Sequence, residues 1–270
     1  MMKAGAAMSP VQDNNAAMID LLAMAFPRRR EPNFAWGNVV SMFSMLPGLR
    51  AFWPTSSLDE NGDAYDLSAQ GRTLTNNNSA AYAWTGLAHH VNLSAVATSY
   101  LSRVDEDGLD VLGTESYIVA ANRGLTIGGW FRPTLGGTDV GLMSKYVVGG
   151  NQRSYLLRKT AADVSYFAVS VDGAAVAAVN VTAIAINAWQ FIVGRFTPGA
   201  ELATFTDGVK ATNLVGVPAS IFNSNSAFEV GRYNAANYFT GSWALGFLCA
   251  AALSDTWIAM LYEHSRSLFG

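Results

Sequence analysis

Short runs in which side chains alternate in character at every second residue, closed by Asp-Gly pairs, constrain this chain more than any other feature. Tyr166, Ala168 and Ser170 alternate with Phe167, Val169 and Val171, and Asp172-Gly173 follows; Thr204-Phe205-Thr206 leads into Asp207-Gly208 and then Val209-Lys210. A period of two is that of a strand, and Asp-Gly supplies the positive backbone angles that a tight hairpin turn demands. Further runs at 125–131, 154–158, 189–196, 228–231 and 241–249 continue the pattern with no strand-helix alternation. The prediction is an all-β fold, an antiparallel β-sandwich or jelly roll. Near the end, Ser254 is expected to cap a short C-terminal helix that turns Trp257, Ile258, Leu261 and Tyr262 to one side, with Arg266 in a late turn and Gly270 closing the chain.

The 270 residues are enough to bury a sizeable core in one large domain. The lone cysteine, Cys249, excludes an intramolecular disulfide and a cysteine-based zinc site, so apolar packing must hold the fold. A formal net charge of -3 argues against nucleic acid as a partner, because non-specific binding to phosphates needs many cations. Only 14% of residues are charged, which leaves little polar cover and predicts burial of surface against partners, copies of itself among them.

The N-terminal 45 residues differ from the rest of the chain, being rich in Met and Ala. Met18, Leu21, Leu22 and Phe26 fit helical spacing, Asp13, Asn14 or Asn15 is placed to cap the start, and Pro27 stops the run. Residues 1–45 are therefore read as an N-terminal helical arm, with Arg28, Arg29 and Arg30 as a solvated linker, and 46–270 as the globular domain. The apolar stretch Ala16 to Phe26 contains Asp20 and is far shorter than the about 20 residues of a spanning helix, so no membrane insertion is expected. Its arginines come after the apolar run instead of preceding it, against the order of a secretion signal. The sequons at Asn77, Asn92 and Asn180 are given no weight.

Beyond residue 46 the landmarks fall in a suggestive order. Leu49-Arg50-Ala51-Phe52-Trp53-Pro54 is followed by Ala64-Tyr65-Asp66-Leu67-Ser68 and Arg72-Thr73-Leu74-Thr75; then come Gly124 to Phe131, Met143-Ser144-Lys145-Tyr146 and Tyr155-Leu156-Leu157. The close is Trp189 to Val193, Phe205 to Gly208, Phe228 to Gly231, Phe239 to Ser242 and Ala252 to Asp255. This series resembles the laminin G-like, or concanavalin A-like lectin and glucanase, jelly-roll superfamily. The wording of the middle block and the leading arm also resemble single-domain members found in bacteriophage virions. What this resemblance implies is a non-enzymatic virion structural protein, a head-decoration, tail or fibre component, made in the host cytoplasm and assembling with other virion proteins and as a homo-oligomer. The alternative from a different class is a lectin-like module that adsorbs to a polysaccharide or surface glycan.

The residues themselves argue against an enzyme. Glucanases need two carboxylates flanking the scissile bond, and glucanases of this superfamily carry theirs at alternate positions on one strand. The nearest cluster, Asp105-Glu106-Asp107-Gly108-Leu109-Asp110, has no such alternation and reads as a solvated loop. His89, His90 and His264 lack nucleophile or metal partners in the sequence. For calcium, Asp59, Asn61 and Asp63 resemble half of a binding loop, but Ala64 stands where glycine is needed and Gln70 where glutamate is needed. Asp105, Asp107 and Asp110 form a second oxygen-rich loop. Neither is assigned as a metal site; no cofactor is assigned, and calcium is left open. Carbohydrate binding requires an aromatic ring with amides or carboxylates beside it, and Tyr233, Asn234, Asn237 and Tyr238 are the candidate group. Trp130, Trp189 and Trp243, set in apolar runs, are assigned to the core.

Overall fold

The structure, a computed structural model, describes residues 32–56, 62–85 and 88–270. It places two antiparallel sheets face to face. The back sheet runs β13 (Val209–Asn213), β12 (Glu201–Thr206), β11 (Gln190–Thr197), β6 (Leu125–Pro133), β15 (Gly241–Cys249), β4 (Ala88–Leu93) and β3 (Ala81–Thr85), with β1 (Leu49–Trp53) also on β15. The front sheet runs β10 (Ala177–Ala183), β9 (Val164–Val169), β8 (Gln152–Lys159), β7 (Val140–Val147), β14 (Phe228–Val230), β5 (Tyr100–Arg103) and β2 (Thr75–Asn77). The architecture is the expected jelly-roll sandwich with a short C-terminal helix.

One core lies between the sheets, where Trp53 stacks on Phe228 at 5.3 Å and meets Trp243 at 6.4 Å. A second core lies on the other side of the back sheet. There helix α1 (Pro32–Ser44) contributes Val39, Met42 and Phe43, and helix α2 (Asp255–Ser265) contributes Trp257, Ile258 and Leu261, over Phe52, Trp130, Phe191 and Phe247. Ser254 caps α2 by accepting from the Trp257 N–H, as its position predicts. The Trp130 indole donates to Ser265 Oγ at 2.8 Å and stacks on Phe269 at 4.4 Å, locking the chain end against the sheet. Both faces of the central strands of the back sheet are thus buried, which is why β15, GSWALGFLC, is apolar along its length instead of alternating.

Several sequence readings acquire a cause. Asp66 is a buried knot: its carboxylate accepts from the N–H groups of Phe52, Ser68 and Arg72 and from the Ser68 hydroxyl, at 2.8–2.9 Å. Asp207 and Gly208 both have positive φ, 51° and 81°, as a two-residue hairpin between β12 and β13 requires. Asp172-Gly173 differs from expectation. It sits inside a longer connection from β9 to β10, where the Asp172 carboxylate accepts from the Ala174 and Ala175 N–H groups and so builds a local turn of its own. Trp130 and Trp243 are buried as assigned, whereas Trp189 is half-buried against Phe269 and the His90 ring. Helix α1 falls inside the segment read as an arm and packs on the sandwich; the helix read at 16–26, and the arginine linker, lie outside the described residues. No helix among the described residues is long and apolar enough to cross a membrane.

Candidate ligand-binding face

The two sides of the sandwich differ in cover. The back sheet is sealed by α1 and α2; the outward side of the front sheet carries side chains of mixed character. Strand alternation turns Leu157, Phe167 and Val230 into the core and leaves Arg158, Tyr166 and Glu229 facing outward. A register shift between Lys145 and Tyr146 brings Tyr146 opposite Arg153, with the guanidinium 6.0 Å from the tyrosine ring.

The connection from β14 to β15, residues 231–240, folds back over this side. The Gly141 N–H donates to the Asn237 carbonyl at 3.0 Å, and the Asn234 N–H donates to the Tyr146 carbonyl at 3.1 Å. The Asn234 side-chain oxygen accepts from the Val148 N–H at 2.8 Å, and Ser144 Oγ donates to the Arg232 carbonyl at 3.0 Å. Asn234 and Asn237 adopt positive φ, 56° and 50°, which asparagine tolerates better than most residues. The loop lies so close to β7 that a Cβ on Gly141 would stand 2.3 Å from the carbonyl carbon of Arg232.

Two clusters of tyrosine and arginine result. In the first, Arg158 Nη1 reaches Asp139 at 2.5 Å and donates to the Tyr233 hydroxyl at 3.0 Å, while its guanidinium lies 4.1 Å from the Tyr166 ring. Tyr146 meets Tyr233 edge to face at 6.0 Å. In the second, Arg232 pairs with Glu229 at 2.5 Å, donates to the Tyr238 hydroxyl at 3.1 Å and sits 3.4 Å over the Tyr100 ring. Burial works against the charges of Arg158 and Arg232, but Asp139 and Glu229 outweigh it and hold both pKa values above the ordinary guanidinium range. Burial pushes the phenols of Tyr166 and Tyr233 up, so both remain neutral hydrogen-bonding groups. Arg153 has no carboxylate partner among the described residues.

The four residues singled out from the sequence are therefore brought together, in different roles. Tyr233 is 8% exposed, with its ring under the loop and its hydroxyl held by Arg158. Asn234 and Asn237 tie the loop to β7. Tyr238 is half-buried beside Arg232. Sequence reasoning missed Tyr100, Tyr146, Tyr166, Arg153 and Arg158, which come from other strands, and Arg232, which stands in the same loop beside Tyr233. The signal was present for Tyr166, which stands at an outward position of the alternating run in β9. Trp84, 70% exposed at the sheet edge, is a separate aromatic surface, with its ring 3.5 Å from that of His89.

The carboxylates of the acidic rim are engaged by cations. Glu106 binds Arg72 at 2.7 Å and Arg103 at 3.0 Å, and Asp105 and Asp110 both bind Lys145. Calcium does not fit this rim as it stands, because an ammonium already fills the space between the two carboxylates. At the other candidate loop Asp59 and Asn61 lie outside the described residues, and Asp63 accepts from the Asn76 N–H at 2.7 Å.

Residues 106–259, more than half of the chain, match the family described as the concanavalin A-like lectin/glucanases superfamily. No curated protein matches the sequence. Among solved structures, the binding domain of Paraclostridial mosquitocidal protein 1 superposes with a TM-score of 0.62 at 12% identity, covering 82% of this chain and 52% of that one. The botulinum neurotoxin serotype G binding domain gives 0.60 at 13%, covering 81% and 51%. The botulinum neurotoxin DC binding domain, solved in complex with SialylT, gives 0.59 at 12%, covering 84% and 52%. The chain thus spans about half the length of these neighbours, and at such identity they share its fold.

Proposed function

The chain belongs to the concanavalin A-like lectin/glucanases superfamily, and from that premise we propose that it is a non-enzymatic binding domain, borne on a phage-type particle, whose front face takes a glycan. The observation that carries this reading is the outward side of the front sheet. Tyr100, Tyr146, Tyr166 and Tyr238, all half-buried, offer ring faces beside arginine and amide groups, the combination that binds sugar rings and their hydroxyls. The rigid tie of loop 231–240 to β7 presents these groups without a large ordering cost. The ion-paired rim carboxylates favour binding over hydrolysis. The neighbouring toxin domains, which are binding domains by description, support the same reading by analogy of fold.

The test is a glycan array probed with the full chain and with Tyr146→Ala and Tyr166→Ala. Binding by the parent that falls at least tenfold in either variant, with unfolding temperature retained, supports the reading. A silent array from folded protein overturns the glycan part.

The particle setting rests on the sequence resemblance and on the low charge, which suits burial against neighbours. Its partners are then other particle proteins and copies of this chain. Light scattering on the full chain and on a chain beginning at residue 32 tests arm-mediated assembly. An oligomer that falls to a monomer when residues 1–31 are removed supports it, and an unchanged mass argues that the part of the arm before α1 does not drive assembly.

A further inference from the structure

We propose that the back of the sandwich carries a second ligand site, built from His90, Asn92, Arg132 and Trp189 around Ser242, that takes the carboxylate of a small molecule. Strand register sets its geometry. Ser242 of β15 pairs with Asn92 of β4 on one side and with Arg132 of β6 on the other, so the three side chains form one row across the sheet. Their chain neighbours Val91, Leu93, Phe131 and Trp243 lie in the inter-sheet core, so this row faces the back. The helical cover thins here, and Asn92, Arg132 and Trp189 are all half-buried. On the edge strand β3, the residues paired with Asn92 and His90 are Ala81 and Ala83, small side chains that leave the edge side low.

The row is rich in donors and lacks an acid. The Ser242 hydroxyl occupies Asn92 Oδ1 at 2.7 Å, which leaves the amide NH2 group to a ligand. Arg132 Nε donates to the Asn187 carbonyl at 3.2 Å, and its guanidinium pairs with no carboxylate among the described residues. Strands β4, β6, β11 and β15 contain no Asp or Glu. His90 is 4% exposed, and its ring meets that of Trp189 edge to face at 5.5 Å. His90 Nδ1 and Trp189 Nε1 are both buried and make no hydrogen bond among the described residues, a costly state unless something meets them. Burial lowers the His90 pKa, the Ala88 backbone offsets part of this, and the Arg132 charge lowers it further, so the guanidinium and the imidazole share one field. A carboxylate supplies what this group lacks, a negative charge with oxygen acceptors. One guanidinium beside neutral donors matches a single negative charge, whereas a phosphate dianion would call for a second fixed cation.

The experiment is a titration of the isotope-labelled full chain with sodium acetate and with sodium D-glucuronate, read by NMR at the indole N–H and imidazole groups, with sodium chloride at matched ionic strength as control. The parent is expected to show a saturable shift of one indole N–H, assigned by its absence from Trp189→Phe, and of one imidazole, assigned by its absence from His90→Gln. Chloride is expected to give neither. Arg132→Gln, with unfolding temperature retained, is expected to weaken the response about tenfold or more, and Asn92→Ala is read in the same way if Arg132→Gln does not fold. A tighter response to D-glucuronate than to acetate supports a sugar acid as the ligand, and equal responses support a simple organic acid. No saturable shift in the folded parent, a shift given equally by chloride, or a response unchanged in the folded variant overturns the proposal. The site lies on the opposite sheet from Tyr146 and Tyr166, so this result and the glycan reading of the front face stand or fall separately.

Discussion

Gly141 is glycine because Arg232 leaves no room for anything else. The backbone of loop 231–240 crosses β7 at that point, and the Asn237 carbonyl accepts from the Gly141 N–H, so the contact is a hydrogen bond and a steric limit at once. Gly141→Ala should push the loop away from the sheet and cost about 1–3 kcal/mol, the range for overpacked sites. The effect should also reach the binding face, since Tyr233 and Tyr238 ride on that loop. A chemical denaturation series on Gly141→Ala, paired with binding to whichever glycan the parent selects, checks both consequences. Unchanged stability would mean that the loop yields without loss. The four residues singled out from the sequence carry the same lesson at this scale. Clustering in sequence finds the loop correctly, but Tyr233 turns out to be a wedge under it, because its hydroxyl finds Arg158 from a strand 75 residues away. The outward aromatic rings that remain come from β5, β7 and β9, and only pairing of those strands brings them together.

Elements whose pattern is set by their own burial were legible; those set by a remote partner were not. The strands β9, β12 and β15 and helix α2 carry their period and caps locally, so their positions follow from the sequence to within a few residues. Helix α1 does not announce itself in the same way. Trp36, Val39, Val40 and Phe43 have helical spacing, yet the stretch comes after three arginines and reads as part of an arm until the back of the sheet is seen to need a cover. That cover is substantial: Phe43 stacks on Phe52 at 5.2 Å and meets Phe247 edge to face at 5.5 Å. Phe43→Ala should therefore destabilise the full chain by about 3–5 kcal/mol, as for other buried aromatics. Met45→Ala, at an exposed position just beyond the helix, should change stability by about 0.5 kcal/mol or less. Urea unfolding of the two variants distinguishes a helix that belongs to the domain from one that merely rests on it.

For the whole molecule, sealing the back with helices leaves the front as the face of the sandwich with polar aromatic groups outward, and it also distributes the ionisable groups unevenly. Arg195, nearly buried beneath the second core, pairs with Glu201 and with Asp255 at 2.6 Å, and Lys210 pairs with the same two carboxylates at 2.9 and 3.1 Å. Burial opposes their charge, but the hydrogen bonds from Lys210 and Arg195 prevail and hold both carboxyl groups below the usual range. A depressed carboxylate contributes stability that is fully present above its unfolded pKa of about 4 and is lost as pH falls through the folded value. On the front, Glu229 behaves oppositely: burial prevails over Arg232 and raises its pKa, so stability grows as pH falls through that raised value. These groups together predict an unfolding temperature that rises as pH falls through the raised Glu229 value and drops as pH falls below about 4. Thermal unfolding followed by near-ultraviolet circular dichroism from pH 8 to pH 3 measures the profile. Glu229→Gln should flatten the rise and Lys210→Met should soften the fall. If both variants retain the parent profile, the pH dependence arises from other groups and the assignment to Glu229 and the Lys210 network fails.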